Sequence, residues 1–178
     1  MKLILLEGGP ASGKSTLGEM LVTQFRERGE KSVLLDHDTY VEELRPDWTW
    51  PDEASKKKDL AIAKEKHIHE INRYLAERYT VLATGGVWVT SDDVHEYTAM
   101  LAGAVSVHLF HLNVPLNVRK QRFTGRGVAP QVNMDKDQKQ RDRITSWPGH
   151  VYENTRTPEK DAANLMDLID AGTGCIPV

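Results

Sequence analysis

Short apolar runs alternate along this chain with stretches in which apolar residues return every three or four positions. Residues 2–6 are apolar after one lysine, as expected of a strand buried on both faces. Leu17, Met20, Leu21 and Phe25 then share one helical face, which predicts a helix over 14–28 that stops at Gly29. Residues 32–35 read as a second strand and 80–84 as a third. Residues 105–112 read as a fourth, and 150–153 as a short fifth. A helix over 57–78 places Leu60, Ile68, Ile71 and Leu75 on one side. Thr90-Ser91-Asp92-Asp93 resembles a capping box opening a helix through Leu101. Pro115 starts a helix to about Phe123, and a charged helix follows near 135–145. Thr157-Pro158 opens a last helix that buries Ala162, Leu165, Met166 and Ile169. Strand–helix alternation of this kind predicts an α/β fold, with a five-stranded parallel sheet flanked by helices on both faces.

The first strand runs straight into Gly8-Gly9-Pro10-Ala11-Ser12-Gly13-Lys14-Ser15, which fits G-x-x-x-x-G-K-[ST] between a strand and a helix. The glycines let backbone N–H groups turn toward an anion, and the helix that follows adds its positive end. Residues 8–15 with Thr16 are therefore the expected nucleotide-phosphate cradle. Lys14 reaches the terminal phosphates, and the Ser15 hydroxyl holds Mg²⁺. ATP and Mg²⁺ are the expected cofactors, on a three-layer P-loop NTPase fold.

In parallel sheets, functional groups gather at the carboxyl ends of the strands. The second strand ends in Asp36-His37-Asp38. Read as extended chain, its two carboxylates point the same way, one to ligand Mg²⁺ and the other to accept a proton from an attacking hydroxyl. The third ends in Thr84-Gly85-Gly86 with no acid, where glycines let a substrate approach the backbone. After the fourth strand, Arg119, Arg122 and Arg126 fall three and four apart, on one helical face and its continuation. Arg122 and Arg126 are expected to clamp the transferred phosphoryl group, the latter from a lid at about 124–134. Arg119 is placed for the adenine or for a surface ion pair.

Four tryptophans remain. Trp48 and Trp50 lie between the paired aspartates and the long helix, and Trp88 follows the third strand, so they either cover a substrate or form local core. Trp48 is the one placed among the acceptor-binding residues, with Asp36, Asp38, Gly85 and Gly86. Lys56-Lys57-Lys58 reads as a solvated helix start, and His67 and His69 do not share a helical face as a metal pair would. The 178 residues are 39% hydrophobic with a net charge of −3, which suits one domain and gives no global basic field for nucleic acid or anionic membrane. Cys175 stands alone, so no intramolecular disulfide is expected, and no run approaches the length of a membrane span. The expectation is a soluble cytoplasmic protein without a membrane partner. Nothing in the residues predicts its oligomeric state.

The P-loop, Asp36-x-Asp38 and Val114-Pro115 with Arg122, Arg126 and Gly127 together resemble the small P-loop kinases. These include phage polynucleotide 5′-kinase and, more distantly, the shikimate, gluconate and adenylylsulfate kinases. The resemblance implies one kinase domain over 1–178, with an acceptor-side helical segment at about 39–79. It also implies that Asp38, just before Thr39-Tyr40, is the general base. The Phe-Arg pair of shikimate kinases is absent after the second strand. The acceptor the resemblance favours is a nucleic-acid or nucleotide hydroxyl, including a hydroxymethylated base. A small metabolite or antibiotic is the alternative, and the acidic net charge leans that way. A toxin-type kinase of sugar nucleotides and a non-catalytic nucleotide-binding switch are further alternatives. The doubled aspartate and the arginines speak against the switch.

Overall fold

In a computed structural model of the chain, residues 1–124 and 132–177 are described. Arg126 and most of the expected lid lie outside them. Five strands run parallel: β1 (Lys2–Glu7), β2 (Ser32–Asp36), β3 (Thr80–Thr84), β4 (Ser106–Asn113) and β5 (His150–Glu153), in the order β2-β3-β1-β4-β5. A sixth, β6 (Cys175–Ile176), adds to the five expected. It runs antiparallel against Val107 and His108 of β4. Two residues are too few to carry a period, and Gly172 and Gly174 at positive φ turn the chain back there.

β1 is sandwiched between two layers, and its alternation shows how. Leu3 and Leu5 pack on one face with Ile68, Ile71, Leu75, Trp88 and Tyr97. Ile4 and Leu6 pack on the other with Leu17, Leu21, Phe25, Leu165 and Met166. The first layer comes from α3 (Glu53–Ala76) and α4 (Ser91–Thr98), the second from α1 (Lys14–Glu27) and α7 (Pro158–Asp170). α3 starts four residues ahead of its apolar period because the Asp52 side chain caps it, accepting from the Ser55 N–H at 2.6 Å. The chain passes from β1 through α1 to β2, then from β3 to β4 across β1. This puts a switch in strand order beside the carboxyl end of β1, where such sheets bind ligands.

Two further elements frame that edge. α5 (Leu116–Thr124) and α6 (Met134–Arg141) pack together beyond β4. α2 (His37–Leu44) begins as soon as β2 ends, so Asp36 closes the extended chain and Asp38 does not share it as the sequence suggests. Asp36 is the helix N-cap, accepting from the Asp38 N–H at 3.1 Å, and Asp38 sits in the first turn. A side chain that can satisfy the helix's free N–H groups turns the strand end into a helix start.

Candidate active site

The loop from Gly8 to Gly13 folds tightly, with the Ser12 N–H donating to the Gly9 carbonyl at 3.1 Å. Gly13 is the N-cap of α1 at φ 96°, and among the described residues no side chain caps that end. The first-turn N–H groups of α1 therefore face an anion-sized opening with the helix dipole behind them. Lys14 folds back onto the loop, donating to the Gly8 carbonyl at 2.7 Å. Burial pushes its pKa down, with the Glu7 and Asp38 charges pulling the other way. Ser15 Oγ stands 3.5 Å from Asp36 Oδ2. From the far side, Arg122 Nη1 comes to 3.9 Å of where a Cβ on Gly13 would sit.

Lys14, Ser15, Asp36, Asp38, Gly85 and Gly86 all line one cleft of about 950 Å³, together with Gly8, Pro10, Ala11 and Trp48. Gly85, at φ 77°, brings the end of β3 against Asp36 and Asp38. A Cβ there would strike Asp36 Oδ1 and sit 3.1 Å from Asp38 Oδ1. Asp38 is partly buried, and its pKa is raised to about 6, by desolvation first and then by the Asp36 charge, against the pull of Lys14. The structure thus gathers the expected phosphate cradle and both aspartates. Ser15 and Asp36 supply the hydroxyl and carboxylate oxygens that Mg²⁺ prefers, next to open helix N–H groups, so these residues fit that ion.

Arg119 does not make the surface ion pair the sequence allows. It is 2% exposed, lies against Gly9, and pairs with Asp137 at 2.7 Å and with Gln138, because α6 packs over it. Asp137 also accepts from Arg141 Nε at 3.1 Å, and Arg141 pairs in turn with Glu7 at 2.7 and 3.0 Å. Glu7 carries a second partner, His111 Nδ1, at 3.1 Å. A chain of charge, buried at Arg119 and Glu7 and half-buried at Asp137 and Arg141, thus runs from α5 through α6 to the residue before the phosphate loop. Burial pushes the Glu7 carboxyl up, but hydrogen bonds from His111 and Arg141, with the Arg141 charge, outweigh this and hold it at about 2.

Glu7, Arg141 and Asn154 are the residues of this site that sequence reasoning passed over. Asn154 Nδ2 donates to the Ser12 carbonyl at 2.6 Å, bracing the loop from behind. It follows the fifth strand directly, so the strand-end rule that found Asp36 would also have found it. Trp48 lines the cleft as expected, at φ 54°, with its indole N–H 3.3 Å from Glu42. Trp88 is core, fully buried and edge-on to Tyr97 at 5.1 Å. His67 is also core. Its ring bridges the Leu35 carbonyl at 3.4 Å and the Tyr97 hydroxyl at 3.2 Å, and burial lowers its pKa to about 4. Among the described residues there is no cluster of three or more His, Cys, Asp or Glu side chains placed to hold a metal, and no helix long and apolar enough to cross a membrane.

A family model described as "AAA domain" matches residues 3–148. No curated protein matches the sequence significantly. Among solved structures, the chain is similar to a sugar kinase from Janibacter sp. HTCC2649, with TM-score 0.67, 15% identity, and 97% of this chain and 98% of that one covered. It is similar to shikimate kinase from Acinetobacter baumannii in complex with shikimate, with TM-score 0.60, 21% identity, and 96% and 94% covered. It is also similar to a chain of the Pnkp1/Rnl/Hen1 RNA repair complex, with TM-score 0.62 and 12% identity, over 80% of this chain and 43% of that one.

Proposed function

The chain belongs to the AAA domain family of P-loop proteins, and from that premise we propose that it is a kinase moving the γ-phosphoryl group of ATP to a hydroxyl group. The observation that carries this reading is Asp38, a partly buried carboxylate with its pKa raised to about 6, in the same cleft as Lys14. A group of that basicity suits proton removal from an acceptor hydroxyl near neutral pH. A nucleotide switch has no use for it.

The roles follow from position. The α1 N-terminus and Lys14 hold the phosphates, and Arg122 meets them from across the loop. Lys14 releases the Gly8 carbonyl to do so. Ser15, with Asp36 behind it, would hold Mg²⁺, which neutralises charge on the phosphate oxygens when bound with the nucleotide. Gly85 and Gly86 form the floor on which the acceptor rests beside Asp38. Arg119 and Trp147 line a second hollow beside Gly9, on the side where the adenine is expected. A small-molecule acceptor is favoured over a nucleic acid, because Asp38, Glu42 and Asp47 line the cleft beside Trp48 and would oppose a phosphate backbone.

Transfer of label from [γ-³²P]ATP to an acceptor panel tests the reading, with ADP release followed in parallel. ADP release is expected to be slow alone and to rise with a productive acceptor, and Lys14→Ala is expected to abolish transfer without loss of thermal stability. ATP hydrolysis at one rate with or without every acceptor, unchanged in Lys14→Ala, overturns the kinase.

A further inference from the structure

Past Asp38 the cleft branches into a smaller cavity of about 360 Å³, at the low end of the range small-molecule sites occupy. Val41, Trp48, Leu60 and Val87 give it an apolar lining. Its charged lining is one-sided: Asp38, Asp93 and Glu96 against Lys64 alone. Lys64 and Glu96 pair with each other, Nζ 2.7 Å from Oε1, which leaves Asp38 and Asp93 as the charged lining outside that pair among the described residues. Among the described residues, no arginine lines this cavity.

The two helix starts beside it are capped by acids. At the start of α4, Asp93 accepts from the Thr90 N–H at 2.8 Å and the Thr90 hydroxyl accepts from the Asp93 N–H at 3.1 Å, a complete capping box. At the start of α2, Asp36 takes the Asp38 N–H. A carboxylate or phosphate on a ligand would normally be met by a guanidinium or by free helix N–H groups. Among the described residues this cavity offers no guanidinium, the helix starts beside it are already capped by acids, and its carboxylates would repel such a group.

We infer that this cavity seats the acceptor, and that the acceptor is a small hydroxyl-bearing molecule with an uncharged or cationic, largely apolar body. Its hydroxyl faces Asp38, and its body packs on Val41, Leu60, Val87 and Trp48. Carboxylate- and phosphate-bearing acceptors and polynucleotide ends are disfavoured. This rests on the kinase reading for the word acceptor, but the charge preference of the cavity is a binding property that can be measured without turnover.

Three benzyl alcohols matched in size serve as probes: 4-methylbenzyl alcohol, 4-(aminomethyl)benzyl alcohol and 4-(hydroxymethyl)benzoate. Their binding to the full chain is read from the NMR indole signal of Trp48, assigned with Trp48→Phe, and label transfer from [γ-³²P]ATP is run beside it with a 5′-hydroxyl oligonucleotide as a fourth acceptor. The neutral and cationic probes are expected to bind at least tenfold more tightly than the benzoate. Glu96→Lys reverses one charge and frees Lys64 at an exposed position, and is expected to move the preference toward the benzoate. Equal or tighter benzoate or oligonucleotide binding, or no shift of the Trp48 signal with any probe, overturns the inference. Transfer to anionic acceptors alone overturns it while leaving the kinase intact. Charge-ordered binding, with transfer to no acceptor and ATP hydrolysis indifferent to all of them, keeps the cavity assignment and overturns the kinase.

Discussion

Glu7 and Asp38 are carboxylates at the same edge of the sheet, on opposite sides of the phosphate loop, and their surroundings drive them apart. Both are desolvated, which favours the protonated form. Glu7 ends at about 2 because His111 and Arg141 grip it, whereas Asp38 ends at about 6 because the Asp36 charge adds to its desolvation and Lys14 opposes this only in part. On the nucleotide side, burial comes with cationic partners and fixes a permanent charge that ties the loop to α6. On the acceptor side, burial comes with another acid and leaves a carboxylate able to take a proton. Desolvation is common to both. The sign of the neighbour decides whether the group braces the loop or can act as a base.

The sharpest way to break this comparison is Asp38→Asn, which keeps the shape and removes the proton acceptor. Its kcat should fall by about 10²–10⁴ with ATP affinity unchanged. Steady-state kinetics with any productive acceptor checks this. In the wild type, kcat/KM should rise with pH through about 6 as the Asp38 carboxyl loses its proton. Near-wild-type turnover in Asp38→Asn would move the base elsewhere.

Glu7→Gln tests the other side. It removes the charge from the middle of a partly buried ion-pair chain and leaves Arg141 only Asp137, so unfolding stability should drop by about 3–5 kcal/mol. The pH dependence has a definite sign. With the folded pKa near 2 and the ordinary value at 4.5, the stabilisation is whole above pH 4.5 and is lost as pH falls toward 2. In urea titrations from pH 7 to 3 the gap between the two proteins should therefore narrow toward the acid end without closing.

For Asp38 the sign inverts. Its folded pKa lies above its ordinary 3.8, so its ionisation costs stability. That cost is absent below pH 3.8, grows up to about 6 and is constant above. Asp38→Asn should accordingly be more stable than wild type at pH 8, by up to about 3 kcal/mol, with the gain vanishing near pH 3. A variant that loses turnover and gains stability would identify Asp38 as a group held in place for function.

The two sides also differ in how far they could be read from the sequence. The phosphate loop, the paired aspartates and Arg122 were legible because each is a local signal: a motif of eight residues, two acids at a strand end, an arginine spacing on one helix. The five parallel strands were legible for the same reason, each being a run of apolar residues. Glu7 was not, since a glutamate after Leu6 reads as the end of a strand. Its partners lie 104 and 134 residues away. One signal was present: His111 interrupts the fourth apolar run, and the sheet register places it opposite Glu7. The sequence reads Asp36 and Asp38 both as extended chain, which holds for Asp36 alone, because a strand period cannot show that the next residue starts a helix. The cavity beyond Asp38 was illegible as a shape, since α2, α3 and α4 build it from positions spread over His37 to Tyr97.

The acceptor side owes its shape to an aromatic layer, and a mild change in that layer should have the smallest effect. Trp88 is fully buried among the core residues, yet among the described residues its indole Nε1 has no hydrogen-bond partner. An orphaned buried donor costs about 1–3 kcal/mol. Trp88→Phe removes that donor, keeps an aromatic face toward Tyr97, and gives up the volume of one ring. Truncating a buried aromatic to alanine costs about 3–5 kcal/mol, and exchanging one aromatic for a smaller one costs less, so the two terms nearly cancel. The expected result is a change in unfolding stability within about 1 kcal/mol. Lost packing beneath Gly86 should appear instead as weaker acceptor binding with ATP binding unchanged. Urea denaturation of the pair of proteins checks the first part and acceptor KM the second. A stability loss above about 3 kcal/mol would mean that the indole N–H is satisfied in solution. An ordered water bound there would then make the aromatic layer polar at its centre, and the contrast with the charged nucleotide side would be smaller than the structure shows.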